Sequence, residues 1–251
     1  MRTFILILFL LFSGQLPGQV FPDLTERITD GDYGNIKAVL ISYRGELLYE
    51  EYFRGSTAED LQQLNSVTKS IGSALIGIAN RQGLIQTNES IVPYFQELYP
   101  MNSGDFSDKQ VITVEHVLQQ RHGIQWDEWS LDYRHPSNPV GQMIASNDWY
   151  EYVLTRPMET LPGRKFAYST GVSTLMSRLV RASTGMSPLE YAMAELFGPL
   201  GIETVHWEAY SNPENTSLFR TGSGYGYQWW IRRLIDSRAR RFTAYYASGW
   251  G

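Results

Sequence analysis

The chain has 251 residues, of which 43% are hydrophobic and 14% aromatic, and its formal net charge is −5. That is enough apolar material to pack a core in one or two domains, and it excludes a disordered or fibrous chain. The basic residues are dispersed apart from a small cluster at Arg232, Arg233, Arg238, Arg240 and Arg241, so there is no stripe suited to nucleic acid.

At the N-terminus, Arg2 precedes an apolar run from Phe4 to Phe12, followed by small and turn-forming residues. This is the layout of a secretory signal peptide, assigned to residues 1–19 with cleavage between Gly14 and Val20. Nine apolar residues are too few to cross a hydrocarbon core, which needs about 20, so no stable membrane anchor is expected. Cysteine is absent, which excludes disulfides, thiolate chemistry and a lipidated cysteine. Export without disulfides points to a secreted or periplasmic protein of a bacterial envelope.

A short helical stretch near Asp23 to Ile28 comes next. The segment KAVLISYRGELLYEEYF then alternates as two strands with Arg44-Gly45-Glu46 at the turn, the pattern of a β-hairpin. A helix is expected from Ser66 to Gly83. From Asn88 to about Gly201 the signals are mostly helical, with Thr113 capping EHVLQQ, Ser146-Asn147 capping DWYEYVLTR, and a turn at Pro162-Gly163. After His206 the runs YGYQWWIRR and RFTAYYASGWG are aromatic and β-branched, as strands are. The expected fold class is α/β (α+β), with an antiparallel sheet built from both termini, flanked by helices, and an inserted all-helical lobe. The expected division is 20–85 with 205–251 for the sheet-containing lobe and 86–204 for the helical lobe.

Between Asp60 and Arg81 the chain reads LQQLNSVTKSIGSALIGIAN, and its only ionisable side chain is Lys69. On a helix Ser66, Lys69, Ser70, Ser73 and Gly77 lie along one stripe, while Val67, Ile71, Ala74, Leu75 and Ile78 cover the other faces. A helix without charges on its outer face is buried nearly all round. A buried lysine is expected to favour the neutral amine and to serve as a base toward Ser66, one turn earlier at the helix start. The pattern alone is weak. With 22 serines and 4 lysines, roughly one such chain in three holds S-x-x-K by chance, and a capping serine followed by a snorkelling lysine gives the same spacing.

Further residues single out one family. Ser66-Val67-Thr68-Lys69 is followed about a hundred residues later by Tyr168-Ser169-Thr170, inside LPGRKFAYSTGVSTLMSRLV, and then by Gly249-Trp250-Gly251. This order and spacing resemble the serine β-lactamase and penicillin-binding protein superfamily, in the branch of class C β-lactamases, family VIII esterases, D-aminopeptidases and aminohexanoate-oligomer hydrolases. The resemblance runs from about Gly34 to Gly251. It implies the β-lactamase/transpeptidase-like fold and a serine hydrolase without cofactor or metal. Ser66 would be the nucleophile that forms an acyl-enzyme, with Lys69 and Tyr168 sharing the acid and base work. Thr170, Gly249, Trp250 and Gly251 would contact a small-molecule or peptide substrate. Two departures stand out. Thr170 occupies the place where many relatives have asparagine, and Gly249 replaces the lysine or histidine of the third motif, removing a cation for a substrate carboxylate. Both argue against a strong β-lactamase and for an esterase or amidase acting on uncharged or oligomeric substrates. The alternative is a non-catalytic relative that binds peptide or cell-wall fragments.

The same resemblance makes the chain look shortened, between GIETVHW and YGYQWW and again after Gly251, where relatives supply an oxyanion-hole amide. A weakly stable and nearly inactive chain is therefore expected. The WDEW run places Trp126 and Trp129 as candidate walls of a substrate cleft. Its adjacent carboxylates, Asp127 and Glu128, are expected to be solvated rather than an acid and base pair. His116, His122, His135 and His206 lack metal-ligand spacing, and there is no G-x-S-x-G, P-loop or dinucleotide fingerprint.

Overall fold

The computed structural model describes residues 21–99, 106–207, 225–226, 229–235 and 241–246. The chain divides into two compact units at Gln62 and Gln63. The signal-peptide stretch and the Gly249-Trp250-Gly251 motif lie outside the described residues.

In the first unit, helix α1 (Pro22–Asp30) starts with proline in its first turn and stops at Gly31, whose φ of 91° suits a residue without Cβ. Strands β1 (Ala38–Tyr43) and β2 (Glu46–Tyr52) pair antiparallel, from Ala38 opposite Tyr52 to Tyr43 opposite Glu46, with an irregularity between Ile41 and Ser42. The turn is the expected one. Arg44 and Gly45 both take positive φ, 54° and 83°, the combination whose twist matches that of the flanking strands. Tyr49 of β2 is fully buried, and its hydroxyl meets that of Thr25 on α1 at 2.7 Å. Its ring packs edge-on to Phe21 at 5.7 Å between centroids.

The second unit holds the helical core. Helix α2 (Val67–Arg81) packs against α6 (Thr170–Thr184), with α3 (Val114–Leu118), α4 (Pro139–Ala145), α5 (Trp149–Leu154) and α7 (Pro188–Ala192) around them. Helix α6 is the centre, because its residues from Thr170 to Val180 are all buried. Its Val172, Leu175, Met176 and Leu179 share a core with Leu75, Ile76 and Ala79 of α2 and with Phe95, Trp126, Tyr150 and Val153. Each such side chain removed from water contributes about 1.5–3 kcal/mol. Caps set the boundaries. Thr113 forms a capping box with His116 at α3, as expected. At α5 the cap is Asp148, accepting from the amides of Tyr150 and Glu151, rather than Ser146 or Asn147. The Ser146 hydroxyl instead donates to the carbonyl of Met143.

Strands β3 (Tyr225–Gly226), β4 (Trp229–Ile235) and β5 (Arg241–Tyr246) form an antiparallel sheet in that order, with Trp230 opposite Tyr246. Strands thus come from both ends of the chain, and the pairings run within each end. No helix among the described residues is long and apolar enough to cross a membrane.

Candidate active site

Ser66 is the residue at which the chain enters α2. The residue before it, Asn65, is left-handed with φ 46°, a conformation that asparagine tolerates better than most side chains. The amides of Val67, Thr68 and Lys69 bond back to the carbonyls of Leu64, Asn65 and Ser66, so the nucleophile candidate sits on a tight turn already hydrogen-bonded into the helix. The Thr68 hydroxyl adds a 2.6 Å bond to the Asn65 carbonyl. Lys69 follows one turn on, which the helix places on the same side.

The stripe read from the sequence is buried from Ser66 to Ser73, while Gly77 at its far end is exposed. Ser66 is 5% exposed and Lys69 is 0% exposed. Lys69 Nζ donates to Ser66 Oγ at 2.9 Å. The Tyr168 hydroxyl, from a residue 102 positions away, donates to the same oxygen at 3.3 Å. Lys69 Nζ also lies 5.1 Å from the centre of the Tyr168 ring, a distance at which the ring face attracts a cation. The serine, the lysine and the tyrosine therefore converge on one oxygen.

Tyr168 is held by its neighbours in the chain. The Ala167 amide donates to the Gln120 carbonyl at 2.9 Å, and the Ser169 amide donates to Gln120 Oε1 at 2.5 Å. His122 Nε2 lies 2.9 Å from the Ala167 carbonyl, and His122 Nδ1 accepts from the amide of Ile124 at 3.1 Å. Since an amide can only donate, Nδ1 is the acceptor and Nε2 carries the proton. Burial pushes the His122 imidazole down to about 4, against a smaller opposing effect from the Ala167 carbonyl. Gln120 is itself buried, with a positive φ of 56°, and its amide nitrogen donates to Ser173 Oγ and the Val117 carbonyl.

The remaining site candidates separate. Trp129 is 51% exposed and lies flat on Tyr168, with centroids 5.2 Å apart and planes 14° from parallel. It is the one tryptophan of the pair that faces solvent beside the site. Trp126 corrects the expectation of a cleft wall. It is a core residue whose indole Nε1 donates to Glu128 at 2.6 Å and whose ring lies edge-on to Tyr152. Thr170 is buried, and both its amide and its hydroxyl are bound to Glu128, at 2.7 and 2.8 Å.

The expected solvation of Asp127 and Glu128 holds for one of them. Asp127 is exposed and accepts from the amides of Trp129 and Ser130; its hydrogen bonds to Ser130 hold the carboxyl below the usual carboxylate range. Glu128 is 1% exposed. Nothing in its sequence surroundings signals that burial, because it depends on Thr170, 42 residues on, closing over the carboxylate together with the nearby Trp126 and Tyr133. Among the described residues no group of three or more histidine or carboxylate side chains is placed to hold a metal ion.

Residues 37–229 match the Beta-lactamase family, and the chain belongs to it. Its fold is of the β-lactamase/transpeptidase type. Over 190 residues it is 25% identical to the 6-aminohexanoate-dimer hydrolase of Paenarthrobacter ureafaciens, an alignment covering 71% of this chain and 45% of that protein. A structure assigned as a 6-aminohexanoate-dimer hydrolase from Bacillus anthracis superposes with a TM-score of 0.62 at 19% identity, over 78% of this chain and 52% of that one. The octameric penicillin-binding protein homologue from Pyrococcus abyssi does so with 0.54 at 18% identity, over 93% and 51%. The chain spans about half the length of these relatives.

Proposed function

We propose that this chain is an exported serine hydrolase, which forms an acyl-enzyme on Ser66 and acts on ester or amide bonds of uncharged or oligomeric substrates. One observation carries the reading: Lys69 Nζ and the Tyr168 hydroxyl both lie within hydrogen-bond reach of Ser66 Oγ, in a buried site. Membership of the Beta-lactamase family and a relative named as a hydrolase support it.

In this reading the neutral amine of Lys69 takes the Ser66 proton as Oγ attacks the substrate carbonyl, giving a tetrahedral oxyanion. When the carbon–leaving-group bond breaks, the departing oxygen or nitrogen receives a proton through the Lys69 and Tyr168 pair. The acyl group stays on Oγ. Water then attacks the ester, loses its proton to the same pair, and releases the acid with Ser66 restored. Burial favours the neutral lysine that this requires, and Tyr168, whose ring centre lies 5.1 Å from Lys69 Nζ, relays the proton beside it.

The test is a fluorophosphonate probe, followed by intact and peptide mass spectrometry. The expected result is one adduct on Ser66, none with Ser66→Ala, and labelling slower by about 10²- to 10⁴-fold with Lys69→Arg, because a guanidinium cannot give up its proton. A folded chain that takes up no adduct at any pH favours a non-catalytic relative that binds peptide or cell-wall fragments.

A further inference from the structure

Glu128 is the buried carboxylate that the reaction sequence above leaves unused. Four donors fill its two oxygens. Oε2 accepts from the Thr170 amide at 2.7 Å and from Trp126 Nε1 at 2.6 Å; Oε1 accepts from the Thr170 hydroxyl at 2.8 Å and from the Tyr133 hydroxyl at 2.9 Å. Its backbone carbonyl accepts from Asn138 Nδ2 at 3.2 Å. A carboxylate taken wholly from water is retained only where such donors replace its hydration, so this arrangement is specific in both distance and direction.

Its position is equally specific. Thr170 is the first residue of α6 and stands two residues after Tyr168. A carboxylate at the start of a 15-residue helix also faces the positive end of its dipole. From the other side, Trp129 follows Glu128 directly and lies flat on the Tyr168 ring. Glu128 thus fixes Tyr168 twice, through the chain at Thr170 and through the indole at Trp129.

We propose that Glu128 is a positioning residue for the reaction at Ser66. It sets the reach of the Tyr168 hydroxyl by anchoring Thr170 beneath it and Trp129 against its ring. The proposal rests on the reading of Ser66 and Tyr168 as nucleophile and proton relay. It predicts that Glu128 matters only while the Tyr168 hydroxyl is there to be placed. In Glu128→Gln the two hydroxyls, of Thr170 and Tyr133, can turn to accept from the new NH2, so the clamp survives; Glu128→Leu removes all four contacts, and both arms open. A displacement of a reacting group by about 1 Å costs about 10²-fold in rate.

The experiment is a double-mutant cycle on the rate of fluorophosphonate labelling, with thermal melts of every variant. Glu128→Leu is expected to slow labelling by about 10²-fold. In the Tyr168→Phe background the same change is expected to leave the rate within about twofold of Tyr168→Phe alone. Should Glu128→Leu not fold, Thr170→Val removes only the hydroxyl contact. It is expected to slow labelling by about fivefold, with the same dependence on Tyr168. Equal losses in both backgrounds, or no loss in the Tyr168 background of the native chain, overturn the proposal while the Ser66 reading stands. Undiminished labelling of Ser66→Ala, or of Tyr168→Phe, overturns that reading and the proposal together.

Discussion

Lowering the pH should destabilise the helical unit through one side chain, His122. Its imidazole is fully buried, donates through Nε2 to the Ala167 carbonyl and accepts at Nδ1 from the Ile124 amide. A second proton would have to go on Nδ1, where it would face the Ile124 N–H and lack water. Burial accordingly holds the folded-state value at about 4, below the ordinary 6.5. The sign follows from linkage. Between those two values the unfolded chain binds a proton that the folded chain refuses, so stability rises with pH there and is lost as pH falls from 6.5 toward 4. At about 1.4 kcal/mol per pH unit, the separation between 6.5 and about 4 amounts to a loss on the order of 3 kcal/mol by pH 4. That is a large share of a typical domain's 5–15 kcal/mol. The assay is urea unfolding at several pH values for the native chain and for His122→Gln, which cannot titrate. Other groups titrate alike in both, so the difference between the two curves isolates the histidine. Their stabilities should draw together by about 3 kcal/mol between pH 7 and pH 4. Parallel curves, or an imidazole resonance of His122 titrating near 6.5, would refute the reasoning.

Gly171→Ala is expected to destabilise the fold by about 1–3 kcal/mol. The new Cβ would stand against Trp126 Cη2, 2.7 Å from Trp126 Cζ3 and 2.8 Å from Val153 Cγ2, and an unchanged denaturation midpoint would show that the indole has room to move. For export, the mature protein recovered from an envelope or secreted fraction should begin between Gln15 and Phe21 when sequenced from its N-terminus. An intact Met1 in that fraction would sink the proposal.

Local chemistry was readable in the sequence wherever it depends on neighbours a few residues apart. The hairpin followed from alternation and from a glycine at a turn that needs positive φ. The Thr113 cap followed from a hydroxyl ahead of a helical run. The pairing of Ser66 with Lys69 followed from a three-residue spacing on a helix without other charges, and the structure places Nζ 2.9 Å from Oγ. Tyr168 is different. As a bare residue it is one aromatic among 34, and only the resemblance of the surrounding motif drew it to Ser66. Glu128 was misread because a carboxylate between an aspartate and a tryptophan on a loop is ordinarily solvated. Its burial depends on an amide from α6, an indole two residues back and a phenol five residues on, and no local pattern encodes that convergence. The cap of α5 moved to Asp148 because its carboxylate reaches two amides of the first turn, which Ser146, directed to Met143, does not.

These differences in legibility follow from how the two halves of the site are held. The Ser66–Lys69 contact spans a single helical turn, so it needs only α2 and the burial that keeps the lysine from turning to solvent. Tyr168 is placed by three buried polar side chains from a different part of the chain, Gln120, His122 and Glu128, which bind the tetrapeptide Ala167 to Thr170. Helix α6 satisfies many of its own hydroxyls locally, with Ser173 bonded to the Ser169 carbonyl and Thr174 to the Gly171 carbonyl. Those hydroxyls ask little of the surrounding core, whereas an unpaired buried amide or carboxylate would cost far more. The directional contacts of this core are therefore concentrated on the segment that carries the tyrosine. The expected consequence is asymmetric: changes at Gln120, His122 or Glu128 should displace Tyr168 from Ser66 while leaving the serine and lysine as the helix sets them. The placement of Tyr168 is accordingly the part of the candidate site most open to tuning by residues outside the Ser66, Lys69 and Tyr168 cluster.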